Sequence, residues 1–534
     1  MKRLSFAYLT YSAAGLCLVA ILALSPPALA QDTPPPATMA EIEQAWKKSD
    51  YVFVRNGLKQ LAEETGTALA QYRYGRVLIM GHGGPKDLPG AVHWLSLASE
   101  QNHIEAMTLL ARIYLSNISQ AQDEQTELQR DPAKAADLLS GAAALGHAEA
   151  QYYLATLYGS GDGVAQDHKA AFNWLLAAAG QGYVEAQYEL SRFYSRGIGT
   201  EENTGEALKW LEQAADNNHV KAQYYLAAAY ESGQGVEQNP SAAIGWHRRA
   251  AENGLPIAQR NLGMHYLQGK IVVQNTEEGL RWLTKAAKAG DPGSMGNLGM
   301  AYATGLGVEQ NDVTAADWYN RASEYGLGRA KVALGLFHEI GRGVDQDIER
   351  AIALYEQALE TPDAGQAATQ LGRLAANGTL DGRIAPHRAV PWALYAAKNG
   401  DEAAEKWVEA QGEAGLRDAQ YGLAALWLSR DDRAADGAKW LELAAIGGDP
   451  QAQARLAEMY MTGDHVELNY VAAHKWFNIA ATLGAAKAAE LRETVSALMT
   501  PEQVAEAQAA ARHWFTHEEQ QPPATEQTVT TVQE

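Results

Sequence analysis

Between residues 150 and 185, small or apolar side chains fall four apart at Ala150, Leu154 and Tyr158, a spacing that gathers them on one face of a helix. Gly161 ends the run, as glycine does where a helix closes through a left-handed turn. A short loop with Gly163-Val164 then leads to Asp167, whose carboxylate suits the free amides that begin a second helix. That helix carries Trp174-Leu175-Leu176-Ala177-Ala178-Ala179 and is stopped by Gly182. The segment therefore reads as a helical hairpin, helix A followed by helix B, in which large Trp and Leu face small Ala and Gly.

The hairpin is copied along the chain. Leu138, Trp174, Trp210, Trp246, Trp282, Trp318 and Leu354 lie 36 residues apart without a slip. The stop after helix A recurs at the same interval as Gly197, Gly233, Gly269, Gly305 and Gly341. The capping position before helix B holds Asp131, Asp167, Asn203, Asn239, Asn275, Asn311 and Asp347, and Pro132 and Pro240 follow two of these caps at the first helical position, where a missing N–H costs little. Helix B stops at Gly146, Gly182, Asn218, Gly254, Gly290 and Gly326. Asn218 fits the series because asparagine is the usual substitute where a left-handed turn is required. A fixed period of this length identifies an array in which each unit buries its apolar face only against its neighbours.

Ala-Gln-Tyr-x-Leu-Ala/Gly, a Gly-x-Gly-Val loop and Trp-Leu-x-x-Ala-Ala at this period resemble the Sel-one-like repeat family, relatives of the tetratricopeptide repeat, over roughly residues 50 to 495. The expected fold is all-α: a right-handed α-solenoid of about eleven helix-turn-helix repeats of period 36 behind a signal peptide. The expected layout is a signal peptide at 1–30, a Pro-rich linker at 31–40, the solenoid at 41–498, a capping helix at 499–516 and a disordered polar tail at 517–534. The array starts with a helix B near Tyr51, an eight-residue insertion falls between Asn117 and Arg130, and the motif blurs near 361–406, where Ala385-Pro386-His387 replaces the cap. Met499-Thr500-Pro501-Glu502-Gln503 reads as a capping box. The tryptophan ladder reads as core, not as a sugar-binding stripe.

Lys2 and Arg3, an apolar run ending near Leu24, and Ala28-Leu29-Ala30 before Gln31 make the first thirty residues a secretory signal, cleaved after Ala30. The apolar run is too short for a bilayer span. Leu16 before Cys17 disfavours a lipoprotein signal, and with Cys17 the only cysteine, the mature chain has neither disulfide nor thiolate site. Cleavage removes two basic residues and no acidic ones, taking the formal charge from −21 to −23. Such a surface argues against nucleic-acid and anionic-lipid partners. The expected location is the periplasm, with secretion outside the cell as the alternative.

Catalytic signatures do not survive inspection. His338-Glu339 lacks a second histidine for a zinc-protease motif, Ile271 after Gly269-Lys270 spoils a phosphate loop, and the Gly-x-Gly loops follow helices and lack a third glycine. No catalytic, cofactor or metal-binding residue is expected, and the chain is not expected to be an enzyme. His103, His147 and His219 share the position before helix A that Tyr183 holds in another copy, which makes them loop residues of the repeat.

The resemblance implies an inner surface built from helix A. Residues just after the Ala-Gln pair and four further on share a helical face, which nominates Tyr152, Tyr188, Arg192, Tyr224 and Arg260 as partner-binding candidates. Family members act as assembly scaffolds and regulators, so the expected function is an exported interaction scaffold or adaptor of envelope processes such as polysaccharide signalling or assembly. The alternative is an envelope enzyme or ligand binder acting on peptidoglycan or a β-lactam.

Overall fold

The computed structural model describes residues 37–116 and 129–518, with side chains through residue 516. The signal segment, most of the Pro-rich linker, residues 117–128 of the insertion and the tail beyond Glu518 lie outside the described residues. All regular structure among the described residues is helical, in two compact units divided after Asn217.

The first unit opens with α1 (Met39–Lys47) and α2 (Tyr51–Thr65), the latter starting where the sequence places the first helix B. Four A/B hairpins follow: α3 (Ala68–Met80) with α4 (Leu88–Glu100), α5 (Ile104–Leu115) with α6 (Pro132–Ala144), α7 (Ala148–Ser160) with α8 (His168–Gly180), and α9 (Val184–Arg196) with α10 (Thr204–Asp216). The second unit holds seven more hairpins: α11 (Val220–Ser232) with α12 (Pro240–Glu252), α13 (Pro256–Gln268) with α14 (Thr276–Lys288), α15 (Pro292–Thr304) with α16 (Asp312–Glu324), α17 (Gly328–Ile340) with α18 (Ile348–Leu359), α19 (Ala364–Ala376) with α20 (Pro386–Lys398), α22 (Arg417–Leu428) with α23 (Ala434–Ile446), and α24 (Pro450–Thr462) with α25 (Tyr470–Thr482). The single helix α21 (Glu402–Glu413) stands between α20 and α22, and α26 (Ala488–Ser496) and α27 (Pro501–Glu518) finish the chain. The eleven hairpins among the described residues agree with the expected count of about eleven.

Every Asp and Asn assigned as a helix-B cap accepts a hydrogen bond from an amide of the first helical turn. The stops also hold: Gly161, Gly197, Gly233, Gly269, Gly305 and Gly341 close their helices in the left-handed region, and Asn218 has φ +65° where its glycine counterparts lie between +83° and +88°. Ala385 offers no capping side chain, yet α20 forms, with Pro386 at its first turn. At the C-terminus Thr500 and Gln503 exchange hydrogen bonds of 2.9 and 3.3 Å, completing the capping box.

The role of the motif glutamine emerges only in three dimensions. Gln151, Gln187, Gln259, Gln420 and Gln453 are buried on helix A, and each donates through Nε2 to a carbonyl at the end of the preceding helix, eight residues back; that helix is a helix B for all but Gln420, where it is α21. The Oε1 of Gln151 and Gln187 also receives an amide from the end of the following helix B, Gln181 at 2.7 Å and Asn217 at 3.0 Å, and Gln223 receives Asn253 in the same way at 3.0 Å. At Gln151 and Gln187 one side chain thus clamps two successive helices B, its Nε2 adding a second donor to a carbonyl that already accepts the amide of the stop glycine. Two clamps are half made. Position 289 is alanine and 483 is leucine, and the Oε1 atoms of Gln259 and Gln453 are buried without a partner. Ala289 is exposed, so Ala289→Asn should complete the Gln259 clamp and raise stability by about 1 kcal/mol, read as a higher urea midpoint.

The tryptophan ladder requires a correction. Trp282 is buried, but Trp174, Trp210, Trp246 and Trp318 are half-buried, and the more deeply buried site is often the next residue, as at Leu139, Leu175, Leu283 and Tyr355. The indoles lie at the edge of the buried face, where cations cover them: Arg249 lies 4.5 Å from Trp246, Lys285 4.3 Å from Trp282 and Arg321 5.0 Å from Trp318. An indole tolerates this position because its faces attract cations while its body excludes water.

Candidate partner-binding face

Helix A positions the five nominated residues, and their side chains are mostly packed. Tyr188 is buried, Tyr152 lies tilted against Tyr183 with ring centroids 5.2 Å apart, and Tyr224 meets His247 edge-on at 5.9 Å. Burial and the nearby Glu189 push the Tyr152 phenol above its ordinary range, which keeps it neutral. Arg192 pairs with Glu189 at 2.7 Å and Arg260 with Asp291 at 2.9 Å. Arg260 and Met264 also line an open cavity of about 460 Å³ with Asn297, Leu327 and Arg329. The five therefore lie on helix A, but Tyr188 is buried and Tyr152 and Tyr224 are packed against other rings.

The same register opens into a groove nearer the N-terminus. Tyr72 follows Ala70-Gln71 and Arg76 lies four residues on; the next repeat supplies Thr108 and Arg112. These four, with Met80, Glu105, Leu109, His147 and Glu149, line a cavity of about 310 Å³. Arg112 pairs with Glu149 at 3.0 Å, and Thr108 Oγ1 and His147 Nδ1 are 3.0 Å apart. Arg76 rests over the Tyr72 ring at 5.6 Å and has no carboxylate partner among the described residues. Arg76 and Met80 continue into a second cavity of about 320 Å³, where Ile42, Trp46, Val54, Leu58 and Val77 are joined by Lys47 and by Arg73 paired with Glu43 at 2.8 Å. A cavity of mixed apolar and charged lining thus leads into a polar slot, with Arg76 at the junction. The Ala-Gln-Tyr offset that gave the central candidates also reaches Tyr72 and Arg76, so the signal was present before the insertion shifted the frame.

His103 and His219 act as helix caps, accepting the amides of Ala106 and Ala222 through Nδ1 at 3.3 and 3.1 Å. The repeat position thus gives them a local task. A different trio, not singled out by the period, comes together in the second unit: Glu231, His247 and His265.

Nine stretches match the Sel1 repeat model: 68–103, 104–147, 148–183, 184–219, 220–255, 256–291, 292–327, 328–360 and 450–484. The chain belongs to the Sel1 repeat family. Its hairpins α19/α20 and α22/α23 fall in the unmatched stretch, so the fold continues where the motif fades. A protective antigen present in uropathogenic Escherichia coli strains, which displays an SLR fold, is 26% identical over 90% of this chain and 99% of its own, with a TM-score of 0.56. A Sel1 repeat protein from Oxalobacter formigenes is 29% identical over 60% of this chain and 93% of its own, with a TM-score of 0.45. No curated protein matches the chain. Sel1 repeats mediate protein–protein interaction. No helix among the described residues is long and apolar enough to cross a membrane.

Proposed function

We propose that this Sel1 repeat protein is an exported adaptor of the cell envelope, which holds an extended segment of an envelope protein along the helix-A face of its first unit. The observation that carries the reading is the groove from Trp46 and Met80 to Arg76 and Arg112, where two exposed apolar side chains adjoin an arginine with no carboxylate partner among the described residues. Aromatic and arginine side chains are the residue types that anchor interface centres. The groove suits a segment with an apolar residue followed by a carboxylate. Soluble regulation is favoured over a lipid-anchored export machine because Leu16 precedes Cys17. The description of the Escherichia coli relative as a protective antigen is in keeping with export.

The test is site-specific photocrosslinking in the intact envelope. A crosslinker at Met80 should capture a reproducible protein, whereas one at Val313, an exposed residue of helix α16 in the other unit, should not. Arg76→Glu should cut the Met80 product at least about tenfold, the consequence of reversing one interface charge. Equal capture at both positions would sink the adaptor reading. A mature N-terminus other than Gln31 would remove the expected cleavage site.

A further inference from the structure

Helices α11, α12 and α13 bring Glu231, His247 and His265 to one point inside the second unit. Glu231 Oε2 lies 3.2 Å from His247 Nε2 and 3.5 Å from His265 Nε2, and the three ligand atoms lie within 4.8 Å of one another. A tetrahedral zinc ion with ligands at 2.0–2.2 Å holds its donors about 3.3 Å apart. Both Glu231–histidine distances are already near that value, and the two histidine nitrogens, within 4.8 Å of each other, must draw together. His247 has no exposed side-chain surface, His265 is 12% exposed and Glu231 is 40% exposed. Both rings are pushed below the usual histidine range, chiefly by burial, which keeps them in the neutral form that binds metal.

The repeat supplies its own comparison. His247 occupies the position that holds Leu139, Leu175, Leu211 and Leu283 in other copies, so a histidine there is a departure from the packing rule. Three repeats later the same three positions are Glu339, Tyr355 and Arg373. There the carboxylate is satisfied: Tyr355 donates to Glu339 at 3.0 Å and Arg373 pairs with it at 2.6 Å. At Glu231 two neutral imidazoles replace the phenol and the guanidinium. His265 Nε2 is buried with no hydrogen-bond partner, and so is His247 Nδ1. A neutral ring can donate one hydrogen bond to a carboxylate but cannot neutralise it; a divalent cation would neutralise it and use the unpartnered nitrogen of His265.

We propose that Glu231, His247 and His265 form a site for a zinc-class divalent transition metal. Two imidazoles and a carboxylate are the nitrogen and oxygen donors such an ion accepts, and three protein donors leave a fourth position for water or for a donor from a bound molecule.

The test uses the full chain, freed of any affinity tag and of metal by chelation and dialysis, titrated with zinc against a chromophoric chelator. One ion should bind per chain at micromolar concentration or below, and cobalt should give the visible bands of a tetrahedral ion. His247→Leu installs the residue that other copies carry, so it should fold, and it should weaken zinc binding at least about 100-fold, no less than the loss of an outer partner costs. Glu231→Gln and His265→Gln, at less buried positions, should also weaken it and provide the reading if His247→Leu misfolds. Zinc binding unchanged in these variants, or no binding to the parent chain at micromolar zinc, would overturn the proposal.

Discussion

Trp427→Ala is expected to destabilise the second unit by about 4 kcal/mol, the cost of truncating a buried tryptophan. Trp427 is 2% exposed in α22, and its Nε1 donates to Glu405 Oε1 of α21 at 2.7 Å. Glu405 also pairs with Arg430 at 2.9 Å, while Arg433 lies 3.6 Å from the centroid of the indole ring. One indole therefore ties the unpaired helix α21 to the hairpin that follows. Truncation leaves a cavity and removes one of the partners of a carboxylate that is only 16% exposed. Trp427→Phe retains most of the volume and loses the donor, so it should cost about 1–2 kcal/mol. Because repeat arrays can open segment by segment, the measurement is hydrogen exchange across α21–α23 together with a urea curve. Protection unchanged in that stretch would show that the indole is not the tie.

Gly199→Ala should cost about 3 kcal/mol, combining a left-handed residue with overpacking. Gly199 has φ +67°, and a Cβ there would collide with the backbone of His168 and Lys169 at the start of α8. The loop of one repeat lies on the first turn of the previous helix B, where Asp167 accepts the Lys169 and Ala170 amides at 2.9 Å. A methyl group must push the two hairpins apart or disturb that cap. Gly182 supplies the control: it has φ +85° but open space where a Cβ would go. Gly182→Asn, which installs what Asn218 already is, should cost only a few tenths of a kcal/mol. Equal urea midpoints for Gly199→Ala and Gly182→Asn would show that the contact with α8 carries no energy.

The local grammar was legible because each of its rules is local. A cap needs Asp or Asn at one place, a left-handed stop needs Gly or Asn, and a period of 36 repeats both. The glutamine clamp was less so: the amide that donates to its Oε1 comes from a residue 30 positions on, at the end of the next helix, and nothing in Ala-Gln announces that donor. Periodicity placed the tryptophans on the buried face but does not separate its centre from its rim, and the cations beside them were the overlooked clue. The tyrosines on helix A share a face as the spacing requires, yet whether a ring is open or packed depends on the next hairpin. Glu231 and His265 look ordinary in sequence; His247 stands in a column of Leu and Tyr, and that departure was the available signal.

The clamp also separates two meanings of a repeat. A 36-residue segment cut from the array would carry a glutamine whose acceptor carbonyl belongs to the copy before it, while its own last carbonyl would await a glutamine from the copy after. What is inherited as one module is therefore completed only by its neighbours on both sides. Growth of the chain by whole duplications preserves every such link, whereas gain or loss of a half-module breaks them, so lineages can change the number of copies more readily than the length of any one.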